Sequence, residues 1–558
     1  MTVDDAAAPA ETARAMPARV DVARVAGELI AGLVDEPWGQ VSPSVYETGR
    51  LVTLAPWLAG HDRRVEFLLA TQRPDGGWGA PDGYALVPTL SATEALLTTL
   101  RRGERGTLDG LGHGGGAQRS ALAAAADRGV RMLLRTLPAL DVSTIPDLPA
   151  TEIITASLVE AVNGHLDDLR RMPPAALGHP VGRLPLPRGI DDIRLGMIHA
   201  ALDAGVALPE KVLHALEVAG RRARGVRTIR PAATGTVGAS PAATAAWLDE
   251  RDARDPRHPA RLFLEAVVKR HGGPVPCGIP ITVFERGWVL SGLLRAGIDP
   301  PVPAGLAESL RSALGPVGTP AAEGLPADAD TTSVAIYALG LLGLRYPPDA
   351  LWEYETETHF CTWPGEDGFS ISVNAHILEA FGHFAASPSP AVDAGTAARY
   401  AATIQKLTAL LCAEQQADGS WLDRWHASPY YATWCCTLAL QHYGGPGATD
   451  AVRRARRWVL STQRPDGSWG RWEGSAEETA YALQILLLTP PDPGETGESA
   501  PRGYRFLLPS ADDLAKGHVS GPALWHDKDL YLPSAIVRGA VLAALHLAQS
   551  GATRTGVC

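Results

Sequence analysis

The chain has 558 residues, 46% apolar and 20% charged, with a formal net charge of −11. That content supplies a large core, and an acidic chain without a long Lys/Arg block excludes nucleic acid as a partner. Six cysteines without a C-x-x-C pair exclude a zinc ribbon or disulfide framework, and no apolar run reaches the roughly eighteen residues of a membrane span. Residues 1–19 are rich in Ala and Pro, lack an apolar leader core, and read as a frayed tail. Buried reduced thiols and the missing leader suggest a cytoplasmic protein. A first helix begins near Val20 and runs to about Val34. Turn residues interrupt 36–57, and helical periodicity returns over Arg63–Ala70. Loops are marked at 101–118, 230–243, 386–395 and 489–501. The glycine-rich stretch 112–116 lacks G-K-[ST] and is no phosphate loop.

An internal repeat organises the chain. QRPDGGWG at 72–79, QQADGSWL at 415–422 and QRPDGSWG at 463–470 share Q-x-x-D-G-x-W. Each follows a helical segment and precedes another across a polar turn. Asp-Gly makes the turn, the Gln amide bonds free backbone groups at helix ends, and the Trp ring covers them. Stapled helix pairs and poor strand signals indicate an all-α fold.

Pro326–Thr332 reads PADADTT and opens an apolar helix. Asp328 and Asp330 suit a helix start, because carboxylates accept from its free N–H groups and match its dipole. The same residues also suit a carboxylic acid at the rim of an apolar cavity, able to protonate an alkene. Local chemistry leaves both readings open.

This D-x-D start, together with the repeats, resembles the class II terpene cyclases. Stretches such as GQVSPSVYETGRL, KVLHALE, TVFERGWVLSGLLRAGI, SISVNAHILEAF and LWHDKDLYLPSAIVRGAVLAAL resemble bacterial copalyl diphosphate synthase-like enzymes along nearly the whole chain. The usual acid motif is D-x-D-D. Thr331 stands at its fourth position, and D-x-D-T-T resembles the drimenyl diphosphate synthases.

The resemblance implies two α/α-barrel domains. A β domain would comprise 20–45 and 305–558, and an inserted γ domain 46–304, with the active site between them. It implies Asp330 as general acid, tuned by Asp328 and oriented by Asn374 of S-x-N-A-H. Trp288 and Trp363 would line the cation cavity. Lys528, Arg538 and Lys211 would bind the diphosphate, and Asp147 and Glu152 would hold Mg²⁺; read alone, those two acids equally cap a helix. No D-D-x-x-D occurs, so the diphosphate is expected to survive. The expected reaction is bicyclisation of farnesyl diphosphate to drimenyl diphosphate. The alternative is geranylgeranyl diphosphate to a copalyl-type diphosphate. A homodimer is left open. A third reading is a zinc-dependent prenyltransferase β-subunit-like or non-catalytic barrel; Cys361, Cys435 and Cys436 are present, but no Asp-x-Cys with a matching His.

Overall fold

The computed structural model describes residues 20–104, 116–171, 182–366, 368–387, 392–495 and 497–555. The tail at 1–19 and most of the 112–116 stretch lie outside them. Among the described residues the fold is helical, apart from isolated bridges and a two-stranded antiparallel hairpin, Trp525–His526 against Leu530–Tyr531.

Six helices close a ring: Thr282–Arg295, Ala329–Leu341, Ile371–Ala386, Pro429–Tyr443, Ala476–Leu488 and Ser534–Thr555. Each packs on the next and the last packs on the first. Val22–Asp35, Ala304–Ala313, Pro348–Tyr354, Ala394–Ala413, Thr449–Ser461 and Ser499–Leu507 pack outside it. Inner and outer helices alternate along the chain, so the inner ones run parallel and their N-termini gather at one mouth. Asp328, Ser370, Ser428 and Ser475 cap four of them. The inner helices are apolar almost all round, as helices buried on every side must be.

A second ring contains Val45–Leu54, Leu86–Glu104, Thr151–Arg171, the 3₁₀ segment Glu210–Ala223 and Pro241–Trp247. The domain boundary drawn at 304/305 is therefore corrected. Thr282–Arg295 belongs to the first barrel, because Phe284, Trp288, Val289 and Leu293 share its core. An apolar helix does not announce which of two cores it joins. The expected loop at 101–118 is shortened too, since helices run through Glu104 and restart at Gly116.

The three repeats make the same set of contacts. Gln72, Gln415 and Gln463 each donate Nε2 to the carbonyl of their own turn glycine and to the next outer helix, at Ala125, Ala451 and Ser499, over 2.8–2.9 Å. Gly76, Gly419 and Gly467 sit at φ 94°, 100° and 92°, where a side chain would be strained. Trp78, Trp421 and Trp469 donate Nε1 to Leu68, Leu411 and Val459 over 2.7–2.8 Å, closing the preceding outer helix.

Candidate active site

Asp330 is placed by its helix start, and Asp328 makes that start. Asp328 Oδ1 accepts from Thr331 N (2.6 Å) and Oδ2 from Ala321 N (2.9 Å). Thr332 Oγ1 accepts from Thr319 N (2.9 Å) and secures the turn from the other side. Asp328 is buried, and burial pushes its carboxyl up to about 7; the Thr331 N–H opposes this and the Asp330 charge adds to it. Capping therefore falls on Asp328, leaving Asp330 in the first turn with 16% of its side chain open.

His376 Nδ1 donates to Asp330 Oδ1 over 2.7 Å. Burial pulls the imidazole down, but the Asp330 charge and this hydrogen bond outweigh it, and His376 ends above the ordinary histidine value. Asn374 does not make that contact. Its Oδ1 accepts from Phe360 N (2.9 Å), and its Nδ2 donates to Phe360 O (3.0 Å) and Ser370 O (2.8 Å). The contact expected of Asn374 is thus made by the histidine two residues on; that spacing turns the asparagine away from the mouth.

An aromatic wall surrounds the pair. Trp288 stands edge-on to His376 at 5.4 Å between centroids and donates Nε1 to Tyr431 OH over 3.0 Å. Tyr431 lies 4.8 Å from Trp525, 5.5 Å from Tyr481 and 6.0 Å from Trp434. Such faces stabilise a cation without offering a nucleophile. Trp363 packs edge-on to Trp425 at 5.5 Å and borders the same helix start through Thr362, whose carbonyl accepts from Ala329 N.

The proposed diphosphate cations lie elsewhere. Lys528 is fully buried in the hairpin, and its Nζ is spent on Glu47 Oε2 (2.9 Å), Glu217 Oε1 (3.0 Å), Ser240 Oγ (2.8 Å) and His214 O (2.9 Å). Those four partners belong to the second barrel's chain segment, so Lys528 locks the domains together. His214 joins the lock by donating Nε2 to Asp527 Oδ1 (2.7 Å) and Nδ1 to Gly238 O (2.6 Å). Arg538 is buried, with Nη2 on Leu514 O. Lys211 is exposed at the start of its 3₁₀ segment.

Asp147, 69% exposed, stands at the domain seam, and Glu152, 43% exposed, lies in the first turn of Thr151–Arg171. Asp147 Oδ2 meets Arg424 Nη2 at 2.7 Å, and Glu152 Oε2 meets Arg194 Nη1 at 3.1 Å. Arg424 also pairs with Glu366, which accepts from Thr362 N, so the seam connects to the acid helix in few steps. Asp147 and Glu152 are each an accessible hard oxygen donor of the kind Mg²⁺ takes, and each is paired with an arginine. Among the described residues no group of three His, Cys, Asp or Glu is placed to hold a metal. The zinc set of the third reading is therefore not assembled among them; Cys435 and Cys436 are buried within an inner helix.

Residues 367–486 match the family model of the squalene-hopene cyclase C-terminal domain. The ent-copalyl diphosphate synthase of Streptomyces sp. (strain KO-3988) is 41% identical over 94% of this chain and 96% of its own. The chain belongs to the copalyl diphosphate synthase-like class II terpene cyclases. Labda-7,13-dienyl diphosphate synthase of Streptomyces clavuligerus is also 41% identical, over 95% of this chain and 93% of its own. The solved ent-copalyl diphosphate synthase of Streptomyces platensis matches this cyclase with a TM-score of 0.86 and 43% identity, covering 95% and 99% of the two chains.

Sequence reading missed two features of this class II cyclase. His376 lies inside the quoted S-x-N-A-H, so the signal was present but attached to the wrong residue. Arg424 follows a repeat as W-L-D-R and had no signal, because arginine is the common cation of this chain.

Proposed function

We propose that this cyclase converts geranylgeranyl diphosphate to a copalyl-type bicyclic diphosphate by protonation, with the diphosphate retained. The Asp330–His376 pair, set against the Trp288–Tyr431 wall, carries the reading. Full-length similarity to proteins named copalyl and labdadienyl diphosphate synthases supports the C20 choice over the C15 one. Asp330 holds a proton on its free oxygen while Oδ1 accepts from the imidazolium of His376. The cation beside it lowers the cost of the carboxylate that forms when the proton passes to the distal alkene. The second alkene then closes on the first cation and the third on the second, each charge passing along aromatic faces that exclude water. Asp330 regains its proton from solvent. Asp147 and Glu152 would hold Mg²⁺, whose charge would neutralise the uncleaved diphosphate, with Arg424 and Arg194 as the adjoining cations.

A second reading keeps farnesyl diphosphate as substrate and drimenyl diphosphate as product. Thr331 in D-x-D-T-T favours it. Incubation with each diphosphate, followed by phosphatase and mass analysis of the alcohols, separates the two. A C20 bicyclic alcohol formed at higher kcat/KM supports the first reading; a preferred C15 product overturns it for the second.

A further inference from the structure

The carboxylates at the barrel mouth divide by how their oxygens are used. Asp328 engages both, as described. Asp423 accepts from Ser370 Oγ and Ser372 N on Oδ1, and from Ser372 Oγ and Trp425 N on Oδ2. Glu478 accepts from Ser428 Oγ and Arg471 N on Oε1, and from Ser475 Oγ on Oε2. These three hold the fold. Asp330 and Glu477 each engage a single oxygen.

Glu477 lies next to the structural Glu478 at the start of Ala476–Leu488. Its Oε1 accepts from Trp525 Nε1 (2.8 Å), Tyr481 OH (3.1 Å) and His426 Nε2 (3.2 Å). His426 is the Nε2–H tautomer there, since its Nδ1 accepts from Ser428 N over 3.0 Å. Its Oε2 is buried and has no partner. An orphaned carboxylate oxygen in apolar surroundings is costly and calls for a reason. Three donors on Oε1 fix the carboxylate's orientation and leave Oε2 as its one open acceptor.

The same aromatic wall links the two acids. It runs from His376 through Trp288 and Tyr431 to Trp525, which bonds Glu477. Tyr531 packs on Trp525 at 6.5 Å; burial raises its phenol, and the charges of Asp527, Cys277, Asp330 and Glu477 add to that.

We propose that Glu477 is the terminal base of the cyclisation, taking the last proton on Oε2. The inference rests on the class II reading. A C–H bond beside the final tertiary cation breaks, its electron pair closes the alkene, and the proton passes to Oε2. One proton enters from Asp330 and one leaves to Glu477, so the product is an isomer of the substrate. Water restores both groups. The division follows from the partners: Asp330 faces His376, while Glu477 faces the indole of Trp525, the phenol of Tyr481 and the Nε2–H tautomer of His426.

The test compares wild type with Glu477→Gln, incubated with the C15 and C20 diphosphates. Substrate loss, alcohol identity and the helical circular-dichroism signal are measured. The variant is expected to keep its helical signal and consume substrate, but to form the wild-type alkene ~10²-fold more slowly. Isomeric alkenes or water-captured alcohols replace it. An unchanged alkene at unchanged rate overturns the base assignment alone. Absence of any cyclic product from wild type overturns the class II reading and the base with it. If Glu477→Gln does not fold, Glu477→Asp, which keeps the charge but withdraws it by one methylene, decides. An altered product mixture supports the assignment, and the wild-type product at the wild-type rate overturns it.

Discussion

His376 Nδ1 meets Asp330 Oδ1 at 2.7 Å, joining two inner helices across the barrel mouth. Removing the acid should remove the chemistry and spare the fold, because the helix cap is Asp328. Asp330→Ala is expected to lose cyclisation by at least ~10²-fold while the helical spectrum and melting curve hold. Retained turnover would remove Asp330 from the acid role.

The competent pair carries two protons, one on Asp330 and one extra on His376. The folded value of His376 lies above its ordinary 6.5, so its contribution to stability is full below about 6.5 and is lost as pH rises through the folded value. The raised value depends on an ionised Asp330, so activity should already decline as the first of the two protons leaves and should fall again through this alkaline range. A kcat/KM profile is expected to show that limb in wild type and to lose it in His376→Gln at a lower overall rate. An identical limb in the variant would assign it to another group.

Asp328 titrates the other way from an ordinary capping carboxylate. Its folded value is raised from 3.8 to about 7, so its contribution is full below 3.8 and is lost as pH rises through about 7. Asp328→Asn keeps one acceptor for Thr331 N and leaves Ala321 N facing an amide. It should cost on the order of 1 kcal/mol at pH 5, with the gap narrowing towards pH 8. Melting curves across that range would show a constant gap if Asp328 were not protonated.

Lys528 should act on stability rather than on substrate affinity. Lys528→Met leaves Glu47 and Glu217 buried without their cation, a loss of about 3–5 kcal/mol. Adding Glu47→Gln and Glu217→Gln is expected to restore part of it. A variant that melts like wild type but has a raised KM would return Lys528 to the diphosphate.

Glu152→Ala is expected to raise the Mg²⁺ concentration needed for half-maximal activity, and Asp147→Ala likewise. An unchanged Mg²⁺ titration in both would remove the pair from the metal site.

Much of this protein is legible along the chain because its signals are local. Q-x-x-D-G-x-W carries its own turn, so each staple forms wherever two helices meet in sequence. Asp328 and Asp330 are two residues apart, so one cap and one free carboxylate follow from a single helix start. The contacts that complete the site are not local. Asn374 and His376 share one motif, and only packing against the Ala329–Leu341 helix selects the imidazole. Lys528 is conspicuous by rarity, yet its partners lie roughly three to five hundred residues earlier in the chain. Thr282–Arg295 is apolar enough for either barrel, and ring closure decided which. Glu477 and Glu478 are adjacent and chemically alike; only the donors brought to them by Trp525, His426, Ser428 and Arg471 make one structural and leave the other with a free oxygen. The sequence determined the helices, the staples and the polar helix start that carries Asp328 and Asp330, since spacing sets these. Tertiary structure alone decided which groups face each other, because burial and hydrogen-bond partners come from distant segments.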